Sequence, residues 1–547
     1  MKPEILVIGL DAATMDLIEP WAGAGHLPTL ARLIDEGVSA RFLSTPNMHS
    51  ASAWTSILTG LNPGRHGLYV FSDRDFATGR QLFFKGGDRA GDLITRHLAR
   101  AGRTSGLLNV PMTYPAEASA GGFMISGLDA PSLNERAFCP PKLRDELLGR
   151  FPNYNFAPQA IGDLMSAGRI TEAIEAWLEL IETQTSAAEY LMEAHPVDFF
   201  MTVYTASDWG GHNLWKYSDS SHPSFDPEGA ARHGNALLAI YRALDKAVAR
   251  LEARAGDGAQ LYVISDHGMG PHTGASYHLA DWLESKGYMA RKAGRPARSS
   301  LLKAGKQVAK AVLPAAVKEK IKSGLSADRM ERIQSVERDS FYSSIDWRRT
   351  ICYTEPGRHV ININLAGRNA EGIVAPADYD RVSDELTREL MAWTDERGSR
   401  IVDRVARRDE VYRGPFIERA SDLYLYWNRS VYLGEPPDEV RARGYWWSGD
   451  HLPEGILICK GRGIRADARL DSPVVYDLVP TILYLAGLPV PEGLDGRALE
   501  EASTVEFRAG NAVKIGSAST EQISDSATLS ESEEKLIEEK LRGLGYM

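Results

Sequence analysis

Five short segments of the chain carry side chains able to bind a cation or act as a nucleophile. Asp11 ends the apolar run Glu4-Ile-Leu-Val-Ile-Gly-Leu10. His49-Ser-Ala-Ser-Ala-Trp-Thr-Ser-Ile-Leu-Thr-Gly60 sets several hydroxyls ahead of a helix-like stretch. Asp208-Trp-Gly-Gly-His212 spaces a carboxylate and an imidazole by four residues. Asp266 and His267 sit side by side in Ile264-Ser-Asp-His-Gly-Met269, and Gly449-Asp-His451 adds a third imidazole. Carboxylate oxygen and imidazole nitrogen both suit Zn²⁺. A serine at a helix N-terminus meets the positive end of the helix dipole, which favours an alkoxide and an incoming phosphate. Each piece has an ordinary alternative: Asp11 and the serines as helix N-caps, Asp266-His267 as a plain turn, His451 as a structural histidine. Taken together they supply three Asp, three His and a hydroxyl, enough ligands for two cations. Two metals about 4 Å apart clamp the attacking and leaving oxygens of an in-line phosphoryl displacement.

The elements that must position these residues alternate. Strands are expected at Glu4–Leu10, Thr104–Val110, Asp198–Thr205, Gln260–Ser265 and Gly455–Lys460. Helices are expected at Leu27–Glu36, Ile170–Ala194, Pro227–Ala253 and Val474–Leu485. Continuous β-branched runs between helices imply an α/β fold, a doubly wound and mainly parallel sheet flanked by helices on both faces. In such sheets ligands gather at the strand C-termini, and the five segments fall at expected strand ends. The 547 residues suggest two to four structural units. The charge balance, 62 Lys+Arg against 73 Asp+Glu, argues against a nucleic-acid-binding surface. Three cysteines without a CxxC make neither a disulfide framework nor a thiolate site. The N-terminus lacks signal-peptide features and no 18-residue apolar run occurs, so a cytoplasmic location is expected.

Two stretches break the rhythm. Residues 291–322 carry ten Lys/Arg against one acidic residue, with an interleaved apolar stripe. Such a segment can lie on an anionic membrane surface or pack one face on its own domain. After Glu500 the composition turns to Ser, Thr, Ala and Glu, leading to a capping box at Ser530-Glu-Ser-Glu533 and a charged terminal helix that docks on the body or on a second subunit.

The ordered set Ile8-Gly-Leu-Asp11, Ala53-Trp-Thr-Ser-Ile-Leu-Thr-Gly60, Pro63-Gly-Arg-His-Gly67, Asn109-Val-Pro-Met-Thr-Tyr-Pro115, Asp208-x3-His212, Ser265-Asp-His-Gly-Met269, His451 and Asp477-Leu-Val-Pro-Thr-Ile482 resembles the alkaline phosphatase superfamily. Within it the likeness is to the type I phosphodiesterase / nucleotide pyrophosphatase group. The resemblance implies an alkaline phosphatase-like core in residues 1–274 and 444–500. It further implies an inserted cap at 275–443, leaving a linker and C-terminal helix at 501–547. It implies two divalent metal ions, Zn²⁺ first and Mn²⁺ second, one held by Asp208, His212 and His451, the other by Asp11, Asp266 and His267. Counting back nine residues from Thr59 assigns the nucleophile to Ser50, also a metal ligand, with Ser52 as the fallback. Trp54, Asn109 and Asp129 are candidates for the substrate pocket. The implied activity is a phosphoester hydrolase, first a phosphodiesterase, on a small-molecule or lipid-linked ester. A phosphomonoesterase, a phosphomutase, or a non-catalytic homologue that binds a membrane surface or partner are the alternatives.

Two departures bear on specificity. Nucleotide pyrophosphatases carry Asn where Ala53 and Phe71 stand here, which weakens a nucleotide diester as substrate. The segment Ser50-Ala-Ser-Ala-Trp54 also lacks the pattern that sulfatases of this superfamily need for formylglycine.

Overall fold

The apolar run near the N-terminus forms strand β1 (Ile5–Leu10), with all six residues buried. In a computed structural model, describing residues 2–118, 121–156, 159–292, 341–434, 447–518 and 529–543, β1 lies within a nine-stranded sheet. Its other strands are β2 (Val38–Leu43), β3 (Ser105–Val110), β4 (Phe123–Ser126), β5 (Phe138–Cys139), β6 (Phe199–Tyr204), β7 (Gln260–Ile264), β8 (Glu454–Lys460) and β9 (Ala468–Arg469). The order across the sheet is β9-β2-β8-β7-β1-β6-β3-β4-β5. Strands β7, β1, β6, β3 and β4 run parallel, whereas β8 is antiparallel to both neighbours.

Burial on both faces explains why β1 is apolar without alternation. Leu6, Ile8 and Leu10 pack into one core with Trp177, Leu244 and Leu251, while Ile5 and Val7 join another with Trp54, Leu478 and Ile482. The helices supplying these layers are α1 (Ser50–Thr59), α2 (Ile170–Ala194), α3 (Ala206–Ser218), α4 (Ala236–Ala255) and α5 (Leu478–Leu485). The single helix expected over Pro227–Ala253 is instead two, Pro227–His233 and α4. They part at Gly234-Asn235, both weak helix formers.

Residues between 275 and 434 build a separate core around Trp282, Phe341, Leu386 and Leu423. It contains a four-stranded antiparallel sheet of Cys352–Tyr353, Val360–Ile363, Leu423–Trp427 and Val402–Arg407. This unit, where the cap is expected, contacts the body ahead of α1: the Tyr426 hydroxyl donates to Pro46 O at 3.0 Å and the Tyr412 hydroxyl to Asn47 Oδ1 at 3.2 Å. The basic segment 291–322 lies outside the described residues from residue 293 onward. Among the described residues no helix is long and apolar enough to cross a membrane.

The terminal helix α6 (Glu531–Gly543) docks on the body. Its capping box is formed, with Ser530 N donating to Glu533 Oε2 at 2.9 Å and Glu533 N to Ser530 Oγ at 3.3 Å. Glu533 also accepts from the Tyr114 hydroxyl (2.7 Å) and Arg136 (2.9 Å), and Ile537 is buried. Lys540 is buried too, its Nζ donating to Leu128 O and Ala130 O. Burial pushes its pKa down to about 7 from 10.5, against the opposing charge of Asp129. Between those two values docking releases a proton, so it strengthens as pH rises, by up to about tenfold per unit. Above 10.5 and below 7 the dependence flattens. Hydrogen exchange in α6, corrected for its intrinsic pH dependence, should therefore show greater protection at pH 9 than at pH 7; equal protection would refute a buried, neutralised Lys540.

Candidate active site

Three adjacent parallel strands deliver their C-terminal ends to one place. Asp11 follows β1, and its amide continues the ladder to Tyr204 O at 2.9 Å. Helix α3 leaves β6 carrying Asp208 and His212 one turn apart on one face. Asp266 and His267 follow β7. His451 precedes its strand, yet reaches the same edge because β8 runs the opposite way. It sits on a two-stranded ribbon, Gly268–Pro271 against Gly449–Leu452, that sets His451 opposite Met269. Gly449 lets this ribbon touch α3: a Cβ there would lie 2.4 Å from Gly211 O.

The side chains converge closely. His212 Nε2 and His451 Nε2 are 2.9 Å apart, and Asp208 Oδ1 lies 3.3 Å from each. His267 Nε2 is 3.3 Å from Asp266 Oδ2 and 3.7 Å from Asp11 Oδ1. Among the described residues two groups have the spacing to hold a metal ion, Asp208/His212/His451 and Asp11/Asp208/His267, with ligand atoms in each within 4.8 Å of one another. The first is the expected trio. The second contains Asp208 in place of Asp266, whose Oδ1 is engaged by the amide of Ala12 at 3.2 Å, a residue held at φ 55°. Asp266 Oδ2 still faces His267.

The imidazoles are oriented for metal. Each donates Nδ1–H to a backbone carbonyl: His212 to Gly449 O (2.9 Å), His451 to Met48 O (2.7 Å) and His267 to Gly268 O (3.1 Å). Carbonyl oxygens only accept, so every Nε2 presents a lone pair inward, the arrangement outer hydrogen bonds give metal-binding histidines. Two imidazole lone pairs facing each other at 2.9 Å beside a carboxylate repel unless a proton or a metal cation lies between them. Asp11 Oδ1 and Asp266 Oδ2 are also buried without a hydrogen-bond partner. The donor set therefore fits Zn²⁺ or Mn²⁺. Electrostatics agree. Burial, with Asp266 and Asp208 nearby, raises Asp11 well above the usual carboxylate range, and burial carries Asp266 to about 7. Burial also opposes ionisation of Asp208, but His212 and His451 prevail and hold its pKa well down.

Ser50 opens α1 and is fully buried, its Oγ–H donating to His267 Nε2 at 3.1 Å. His49 caps the helix by accepting from Ala51 N at 3.2 Å; burial and then the Arg358 charge keep it neutral. Met48, two residues before Ser50, is held at φ 48°, a strain of about 1 kcal/mol or more that surrounding contacts must sustain. Ser52 is used differently: its hydroxyl lies 2.8 Å from both Asn47 Oδ1 and His49 O, bracing the loop.

Two of the substrate-pocket candidates have polar groups engaged within the protein. Trp54 is fully buried and donates Nε1–H to Asp11 Oδ2 at 3.0 Å, so it orients that carboxylate. Its ring also explains Gly9, where a Cβ would sit 2.5 Å from Trp54 Cη2. Asp129 is a turn anchor, accepting from the amides of Gly86, Met112 and Tyr114 at 3.3, 2.9 and 2.8 Å. Asn109 gives Oδ1 to the Tyr154 hydroxyl, while its buried Nδ2 has no partner. Ala53 and Phe71 are buried, Phe71 lying edge-on to His49 at 5.2 Å. Sequence reasoning missed Asp450 and His359, whose Nε2 lies 3.2 Å from Asp450 Oδ1; no motif marks a cap residue that meets the ribbon only in the folded chain.

Comparison with known proteins places this geometry. No curated protein matches the chain. Among solved structures, murine ectonucleotide pyrophosphatase / phosphodiesterase 5 in an inactive form with AMP is similar at 11% identity, TM-score 0.49, over 92% of this chain and 100% of that one. Phosphonoacetate hydrolase from Sinorhizobium meliloti 1021 matches at 15% identity, TM-score 0.48, over 87% and 94%. A mutant of alkaline phosphatase PafA matches at 14% identity, TM-score 0.51, over 92% and 99%, and shares the fold. The type I phosphodiesterase / nucleotide pyrophosphatase family model matches residues 5–452, a span that takes in every residue of the two Asp/His groups. The chain belongs to the type I phosphodiesterase / nucleotide pyrophosphatase family, on an alkaline phosphatase-like fold.

Proposed function

We propose that this protein is a two-metal phosphoester hydrolase, acting first on diesters, with Ser50 as the nucleophile. The observation that carries the reading is the Ser50 hydroxyl at 3.1 Å from His267 Nε2, a member of one candidate metal group. Divalent cations held by Asp11, Asp208, His212, Asp266, His267 and His451 would supply Lewis acidity, lowering the serine hydroxyl pKa and neutralising charge on the ester oxygens. The chain does the rest. Helix α1 presents its positive end to the incoming phosphate, and the buried wall around Ser50 excludes bulk water. Ser50 Oγ forms a bond to phosphorus as the bond to the first alcohol breaks, the serine proton leaving with that alcohol, giving a phosphoseryl enzyme that still carries the second alcohol. Water then attacks phosphorus in line, its proton returning to Ser50 Oγ as the phosphate monoester leaves. Ala53 and Phe71 leave this chain without the two amides of the nucleotide-type pattern, which supports a diester whose alcohols are not nucleosides.

The test is a paired assay of metal-stripped protein reloaded with Zn²⁺ or Mn²⁺. Bis-p-nitrophenyl phosphate should turn over faster than p-nitrophenyl phosphate, and only with metal. A faster monoester would replace the diesterase reading with a phosphatase or mutase, and turnover unaffected by stripping would refute the metal-dependent reading.

A further inference from the structure

The cap unit is tied to one ligand of the metal groups through Asp450. This carboxylate is the neighbour of His451 on the ribbon and is nearly buried. Its Oδ1 accepts from the backbone N–H of His451 at 2.9 Å and lies 3.2 Å from His359 Nε2, on the cap turn that precedes the strand Val360–Ile363. Its Oδ2 lies 3.5 Å from His272 Nε2 at the other end of the ribbon. His272 accepts from Gly274 N through Nδ1 at 2.9 Å, so its Nε2 carries the proton and lies between Ser276 Oγ, at 3.3 Å, and Asp450. Asp450 is therefore an acceptor hub for body, cap and metal-ligand backbone, and not itself a ligand.

We propose that Asp450 is a positioning residue that couples seating of the cap to the placement of His451, so that metal retention depends on His359, a cap residue that belongs to neither metal-binding group. The physical reason is the small tolerance of the site. The His451 imidazole has one nitrogen committed to Met48 O and the other facing Asp208 and His212, so a shift of its backbone displaces both. Losing the cap donor frees one carboxylate oxygen to turn away from the His451 amide. Removal of such outer hydrogen bonds costs about 10–100-fold in metal affinity. The same turn is braced from within the cap: Arg358 pairs with Glu355, and Gly357 N bonds Ser276 O at 3.1 Å.

This inference rests on the metal-site reading above, and its experiment separates the two. Zn²⁺ affinity of the full-length protein is measured by chelator competition for wild type, His359→Leu and His359→Gln, with hydrogen exchange followed in 355–360. The expected result is about tenfold weaker Zn²⁺ binding and faster exchange for H359L. H359Q, whose amide N–H can reach Asp450, should restore both. Should H359L not fold, the isosteric Asp450→Asn replaces it with the same two expectations. Affinity within about twofold of wild type for H359L, with the turn loosened or not, overturns the coupling while leaving the metal site standing. A wild-type protein that binds no Zn²⁺ or Mn²⁺ overturns both.

Discussion

Replacing Ser50 by alanine is expected to lower phosphoester turnover by at least about 10³-fold, the scale on which loss of a catalytic nucleophile operates. It should also abolish a phosphoryl mass adduct on the α1 peptide when substrate is quenched in acid. The contrast with Ser52 sharpens the result. Both serines are fully buried in the same helix, but their hydroxyls face different partners. Ser50 Oγ meets an imidazole lone pair, whereas Ser52 Oγ is occupied by Asn47 and by the carbonyl of His49. Ser52→Ala should thus keep activity and lose about 1 kcal/mol of stability from its hydrogen bonds. A phosphoryl adduct that survives S50A and disappears in S52A would move the nucleophile by two residues and refute the assignment.

The second large effect is expected at Asp208, because it alone belongs to both candidate metal groups. Asp208→Asn should empty both, whereas His212→Ala and Asp11→Asn should each lower the bound metal by one equivalent. Elemental analysis of dialysed protein reads this directly. Loss of activity in D208N should exceed the about 10–100-fold seen when only an outer contact is removed. The asymmetry has an electrostatic root. Asp208 is the carboxylate that His212 and His451 hold in its charged form, while burial, with Asp266 and Asp208 nearby, raises Asp11, and burial raises Asp266. Removing the one firmly ionised group leaves no anion to keep the two facing imidazoles together. A D208N protein that retains a full equivalent of metal would refute the shared role.

Much of the fold was legible because its main strands are buried on both faces and therefore read as unbroken apolar runs. Strands β1, β6 and β7 and helix α2 fall where those runs and the helical periodicity put them. The Asp208–His212 pair was legible for a local reason, since four residues is one helical turn. What escaped was non-local or short. Strand β4 has only four residues, and β2 mixes Ser39 and Arg41 into its run because it lies near the sheet edge, next to the two-residue β9. The ribbon joining Gly268–Pro271 to Gly449–Leu452 is rich in glycine and carries no strand signal; it exists because glycine permits contact with α3. The role of Trp54 depends on a missing Cβ at Gly9, on another element, so no motif within Ser50–Thr59 could announce it.

The placement of His451 also governs when the site can come into being. Residues 1–267 hold Ser50 and all but one of the six Asp/His ligand candidates, but the remaining imidazole arrives only after the whole cap has been made. During synthesis at about 5–20 residues per second, the interval between residues 267 and 451 lasts on the order of ten to forty seconds. Through that time a cluster of buried acids stands without its last histidine, and the sheet lacks β8 between β2 and β7. The nascent chain therefore carries an open gap in its central sheet until residues 454–460 have emerged from the ribosome. A strand made late is inserted into the middle of what was built first.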